Sequence, residues 1–126
     1  METVKTLPDK ANISMGLDKI LKIEFVPKSD INLEDAQEIV RLSSEITGNI
    51  PHCNMVDMRK MTFMNNEARK YFARQDKETV NAVGVVINSK IQRSLVNLYF
   101  KFSKPIKPTK MFETQEEAMA WLKTQM

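Results

Sequence analysis

The stretch Ala82-Val83-Gly84-Val85-Val86-Ile87-Asn88-Ser89 decides how the rest of the chain is read. It is a continuous apolar run, rich in β-branched residues, closed by two polar ones. Such a run suits a strand buried on both faces, and strands of that kind lie in the middle of parallel sheets. A helical pattern over residues 90–103 follows at once. Ser89 with Gln92 three residues on reads as a capping box, and Ile91, Leu95, Leu98, Tyr99 and Phe102 form an inward stripe. Val96 and Phe100 fall outside that stripe, so the helix carries more apolar surface than one buried face requires. A strand feeding a crossover helix predicts further units of the same kind on either side.

Upstream, Ala11–Met15 and Ile20–Val26 alternate apolar and polar residues around a turn that holds Gly16. That pattern predicts a hairpin of half-buried strands, the first of them the antiparallel edge of the sheet. Pro27 ends the second strand. Asn32 is placed to cap a helix in which Leu33, Ala36, Ile39, Val40 and Ile46 recur at helical spacing. Asp35 at its third position suits the exposed amides, and Gly48 is its stop. His52–Met58 reads as a buried strand. Met55, Met58, Met61 and Met64 are spaced by three and imitate a helix, but Asp57, Arg59 and Lys60 interrupt the stripe, and Thr62-Phe63 favours extended or turn structure. Asn65 is the next N-cap, for a helix to about Val80 with Ala68, Tyr71 and Phe72 on its apolar face. Residues 1–10 are polar, carry Pro8 and read as a flexible lead-in.

Downstream, Lys104-Pro105-Ile106-Lys107-Pro108-Thr109-Lys110 must be extended, since each proline keeps its predecessor out of the helical region. Lys110–Phe112 is a short last strand. Thr114 with Glu117 is a second capping box. Ala118, Met119, Trp121 and Leu122 place the final helix on the core, with Trp121 facing inward. The order β-β-α-β-α-β-α-β-α predicts an α/β fold with a mixed, mainly parallel sheet, in one domain over residues 11–126.

Composition narrows the function. The chain has 126 residues, with 19 Lys and Arg against 16 Asp and Glu, a net charge of +3. That is too small to argue for nucleic acid without a clustered patch. The one cysteine, Cys53, excludes an intrachain disulfide and suits a reducing cytoplasm. No apolar run approaches the roughly 20 residues of a membrane span, and the first residues lack the apolar stretch of a secretory signal. His52 and Cys53 are neighbours, so on a strand they point to opposite faces and cannot form a nucleophile–base pair. Cys53 is expected in the core and His52 at the surface, near the strand's end. There is no Gly-rich phosphate loop and no set of His, Cys or acids at metal-ligand spacing. No catalytic residue, metal or cofactor is assigned, and no enzyme is expected.

The order of elements resembles a STAS domain, the fold of bacterial anti-sigma factor antagonists, and its SpoIIAA-like and STAS/SEC14-like relatives. The ending is the more specific part: the strand AVGVVINS, an apolar helix, Lys-Pro…Pro-Thr-Lys-Met-Phe, then Glu116-Glu117-Ala118-Met119-Ala120-Trp121-Leu122. In STAS switches a serine phosphorylated by a partner kinase follows an aspartate at the start of the second helix. Here the matching stretch is Met61-Thr62-Phe63-Met64-Asn65-Asn66-Glu67-Ala68, so Asn65 stands at the aspartate position and Asn66 at the serine position. The resemblance therefore implies a regulatory domain without the usual phosphoacceptor.

Ligands of open α/β sheets bind beyond the carboxyl ends of the strands. Here those ends carry Asp57, Arg59, Thr62, Asn65 and Asn66 after one strand and Asn88, Ser89 and Arg93 after the next. Helix N-termini with nearby cations suit an anion or a partner. The plainer reading is that Asn65 and Ser89 cap helices and Arg59 pairs with Asp57. A second candidate surface is apolar: Met55, Tyr71, Phe72, Val96, Tyr99, Phe100 and Phe102 would line a pocket or an interface, edged by Lys104, Lys107 and Lys110. Two functions follow. One is a non-enzymatic regulatory domain acting through a protein partner or by self-association as a homodimer. The other is a SEC14-like domain that binds a lipid or small apolar ligand, at an anionic membrane surface.

Overall fold

The computed structural model describes residues 3–75, 78–88, 90, 92–94, 97 and 107–126. A six-stranded sheet runs in the order β1 (Thr3–Leu7), β2 (Ala11–Met15), β3 (Ile20–Phe25), β5 (His52–Asp57), β7 (Val80–Val86), β8 (Thr109–Phe112). β1, β2 and β3 are antiparallel neighbours. β3, β5, β7 and β8 pair in parallel. This is the mixed, mainly parallel sheet that the alternation of elements predicts, with the run at Ala82 inside an interior strand. Two short strands, β4 (Asp30–Ile31) and β6 (Phe63–Met64), pair in parallel beyond the ends of β3 and β5.

Local chemistry sets the helices. In α1 (Leu33–Thr47), Asn32 accepts from the Asp35 amide at 2.9 Å while Asp35 accepts from the Asn32 amide at 3.0 Å, a reciprocal capping box. Gly48 closes the helix in the left-handed region at φ 60°, which costs glycine little. Asn65 caps α2 (Asn66–Ala73), and Thr114 caps α3 (Gln115–Lys123). Lys90, Asn97 and residues 92–94 are helical. Val96, Tyr99, Phe100 and Phe102, and the cap at Ser89, lie outside the described residues.

The two-residue period of the strands divides the core. Leu21, Ile23 and Phe25 pack with Ile39 and Ala68 under α1 and α2. On the other face Ile20, Cys53, Met55, Ala82 and Val86 pack with Ala118 and Leu122 under α3.

Four sequence readings need correction. Residues 3–7 are the edge strand β1, in register from Thr3↔Met15 to Leu7↔Ala11, so β2 is not the edge. Lys5 ties β1 to Glu45 of α1 at 3.0 Å. Its side chains are mostly exposed, so β1 shows little of the alternation that marks a half-buried strand. Second, α2 ends at Ala73 and not near Val80, where β7 begins. Third, His52 is buried at 3% exposure, and its Nδ1 lies 2.8 Å from the Ile50 carbonyl. Fourth, Trp121 is only partly buried: it lies against Phe112 with ring centroids 5.7 Å apart, and Lys110 Nζ sits 5.6 Å from a ring centroid. Ala118 and Leu122 are the fully buried residues of α3, and Met119 and Trp121 pack, partly buried, against the same cluster.

Candidate functional site

At the carboxyl end of β5 the chain places a charged cluster. Asp57 is buried, and Arg59 meets its carboxylate with Nε at 3.0 Å and Nη2 at 2.7 Å. The Arg59 amide donates to the same carboxylate at 3.1 Å. Gln115, the first residue of α3, donates from one amide nitrogen to Asp57 at 2.8 Å and to Glu24 at 3.1 Å. Glu24 and Asp57 are direct neighbours in the β3–β5 ladder. Burial pushes the Asp57 carboxyl up, but the hydrogen bonds from Arg59 and Gln115 outweigh it and hold the group below the ordinary aspartate range. The same pairing raises Arg59 further.

A lowered carboxyl pKa stabilises the fold only while the group is ionised. The contribution is therefore complete above the unfolded value near 3.9 and is lost as pH falls through the lower folded value. Asp57→Asn should accordingly lower stability by a constant amount from pH 5 to pH 8. The gap to wild type should close below about pH 4. Urea midpoints across that range measure it, and a gap that persists undiminished in acid would contradict the ion-pair account.

The remaining candidates divide by position. Asn65 accepts from the Ala68 amide at 2.9 Å as a helix cap. Asn66 follows it as the first residue of α2, with its side-chain oxygen bonded to Arg69. Asn88 donates to the Arg59 carbonyl at 3.1 Å, joining the β5 and β7 ends. Gln92 links the same two ends, accepting from the Asn88 amide at 3.0 Å and donating to the Met58 carbonyl at 2.9 Å. Thr62 and Arg93 are exposed, and neither joins the Asp57 cluster. The strand ends thus form one connected surface, with Asp57, Arg59 and Asn88 engaged in holding it together. Glu24 and Gln115 were not anticipated from sequence. The one signal for them is position, at the end of the preceding strand and at the start of the last helix.

The second feature is a cavity of about 330 Å³ between the sheet and the helices on the α1–α2 side. Ile23, Val56, Val85, Phe72 and Met64 line it, with His52, Asn54, Arg69 and Lys107 among the polar residues at its wall. Phe63, 53% exposed, belongs to the same lining, so the cavity opens to solvent there. Of the predicted apolar set, Phe72 reaches this cavity. Met55 does not: its strand parity turns it to the opposite face, where it is fully buried under α3. Tyr71 packs at the side of the α1–α2 core and is not part of the lining. Among the described residues no group of three or more His, Cys, Asp and Glu could hold a metal, and no helix is long and apolar enough to cross a membrane.

This architecture is the SpoIIAA-like, or STAS, fold. An uncharacterised protein of the DUF3478 family with a SpoIIAA-like fold, from Shewanella loihica, superposes with a TM-score of 0.65 at 14% identity, over 96% of this chain and 93% of the other. An anti-sigma factor antagonist from Mycobacterium paratuberculosis superposes with a TM-score of 0.62 at 16% identity, over 94% and 98% of the two chains. At such identities the likeness is one of fold. By sequence the chain belongs to the family described as Domain of unknown function (DUF7793), whose profile matches residues 13–126. No curated protein matches it.

Proposed function

We propose that this chain is a non-enzymatic STAS-like regulatory domain that acts through a protein partner without a phosphorylation switch at α2. One observation carries the reading: Thr62, Phe63 and Asn66 are exposed together around the start of α2, and by the STAS resemblance Asn66 would stand where the phosphoacceptor serine does. An anti-sigma factor antagonist shares the fold, and such a surface suits protein recognition. Because Phe63 is 53% exposed, Phe63→Asp should leave the fold intact and weaken the partner complex. The test is affinity capture by wild type and variant in parallel, with intact mass after co-expression with a STAS-type kinase. The expected results are a partner retained by wild type and lost by the variant, and no phosphate within residues 61–68. Stoichiometric phosphate on Thr62 or Ser89 would overturn the reading, as would equal capture by both forms.

A second reading, binding of a small apolar ligand, is favoured by the cavity, whose volume falls within the roughly 300–1,000 Å³ of small-molecule sites. Native mass spectrometry of protein purified from its own cells should then show a co-purified small molecule. A single apo species under gentle ionisation would argue against it.

A further inference from the structure

We propose that the cavity takes a small, mainly apolar molecule with one hydrogen-bond donor, and that Asn54 is the residue that receives the donor. This rests on the ligand-binding reading above. Asn54 stands in the middle of the sheet, paired with Leu21 on one side and Val83 on the other. All three line the cavity. The Asn54 side-chain oxygen is buried and has no hydrogen-bond partner. Buried amide oxygens are nearly always bonded, because an unmet acceptor forfeits its hydration with nothing in return. In a closed apolar core this position would suit leucine. Asn54 itself is only partly buried at the cavity wall, so a turn about its soft terminal torsion brings the covered oxygen to the cavity, where an unmet acceptor suits a ligand that brings the missing hydrogen.

The surroundings define that ligand further. Ile23, Val56 and Val85 lie one pleat along from the Leu21-Asn54-Val83 row, so the body of the ligand meets hydrocarbon. An acceptor oxygen repels an anion, so the atom facing Asn54 is a hydroxyl, phenol or amide N–H rather than a carboxylate. The volume of about 330 Å³ lies at the small end of ligand sites, which favours a one- or two-ring or short-chain molecule over a two-chain lipid.

Two probes of nearly one shape test this: 2-naphthol, and 2-methylnaphthalene, in which a methyl group replaces the hydroxyl. Each is titrated into the full chain, wild type and Asn54→Leu, and the ratio of the two dissociation constants is compared. The expected result is that both probes bind wild type and that Asn54→Leu shifts the ratio against 2-naphthol by about tenfold, the worth of one buried hydrogen bond. Binding of 2-methylnaphthalene by the variant reports an intact cavity. If both probes bind and the ratio does not move, the assignment of Asn54 fails while the ligand reading stands. If neither binds wild type, both fail. Should the variant not fold, the Asn54 side-chain carbonyl resonance of wild type decides: it shifts with 2-naphthol and not with 2-methylnaphthalene, or the proposal is wrong.

Discussion

Leu122→Ala is expected to destabilise the domain by about 3–5 kcal/mol, the upper part of the range for buried leucines. Leu122 is fully buried. It fills the space between α3 and the sheet, in one cluster with Ile20, Cys53, Met55, Ala82 and Val86. α3 has nine residues, too few to be stable in isolation, so its docking depends on that packing. Ala118 is the other fully buried residue of the helix, and it contributes only a methyl group. Trp121→Ala removes more atoms yet should cost less, about 1.5–2.5 kcal/mol, because the ring is only partly buried, at the edge of the α3 cluster, where it meets Phe112 and Lys110. Cys53 gives an independent readout. Its sulfur lies 3.7 Å from the Leu122 carbonyl, and burial raises the thiol pKa against a weaker opposing hydrogen bond from the Ala82 backbone. Thiol labelling should be slow in wild type and much faster in Leu122→Ala as α3 undocks. A urea midpoint unchanged from wild type, with Cys53 still protected, would show that α3 is not held in this way.

Gly84→Val sets two physical effects against each other. Strand propensity favours valine over glycine by up to about 1 kcal/mol. Packing opposes it. A Cβ at Gly84 would lie 3.3 Å from Leu122 Cδ1, 3.4 Å from Leu122 Cγ and 3.5 Å from Ala118 Cβ. That is already tight for alanine, and the two further methyl groups of valine add volume that the docked α3 must shift to admit. Overpacking of this kind costs about 1–3 kcal/mol and occasionally more. We expect packing to win, with a net loss of about 2 kcal/mol. The double variant Gly84→Val with Leu122→Ala identifies the cause. If α3 is the obstacle, valine occupies part of the space left by leucine, and the pair is more stable than the sum of the single losses by about 1 kcal/mol or more. Strict additivity would mean that Gly84 is needed for some reason other than the approach of this helix.

Capping residues were legible in the sequence at Asn32, Asn65 and Thr114, because a cap is a contact between residues three apart and needs no tertiary information. The alternation of strands and helices was legible for the same reason, and with it a mainly parallel sheet. The opposite facing of His52 and Cys53 followed from the strand period alone. β1 was missed, because its side chains are largely exposed and its partners lie on β2.

What the sequence determined by itself is the set of local elements, their order and their caps, since these depend on periods and spacings within one segment. Only the tertiary structure decided which residues meet across segments. Met55 and Asn54 are neighbours on β5, yet one is sealed under α3 and the other faces a cavity with its oxygen unpaired. Trp121 and Leu122 are neighbours on α3, and the smaller one fills the core. Gly84 shows no special requirement until Leu122 is found 3.3 Å from where its Cβ would be. In each case the outcome depends on the distance between a helix and a sheet, and that distance is set by the side chains of both layers together.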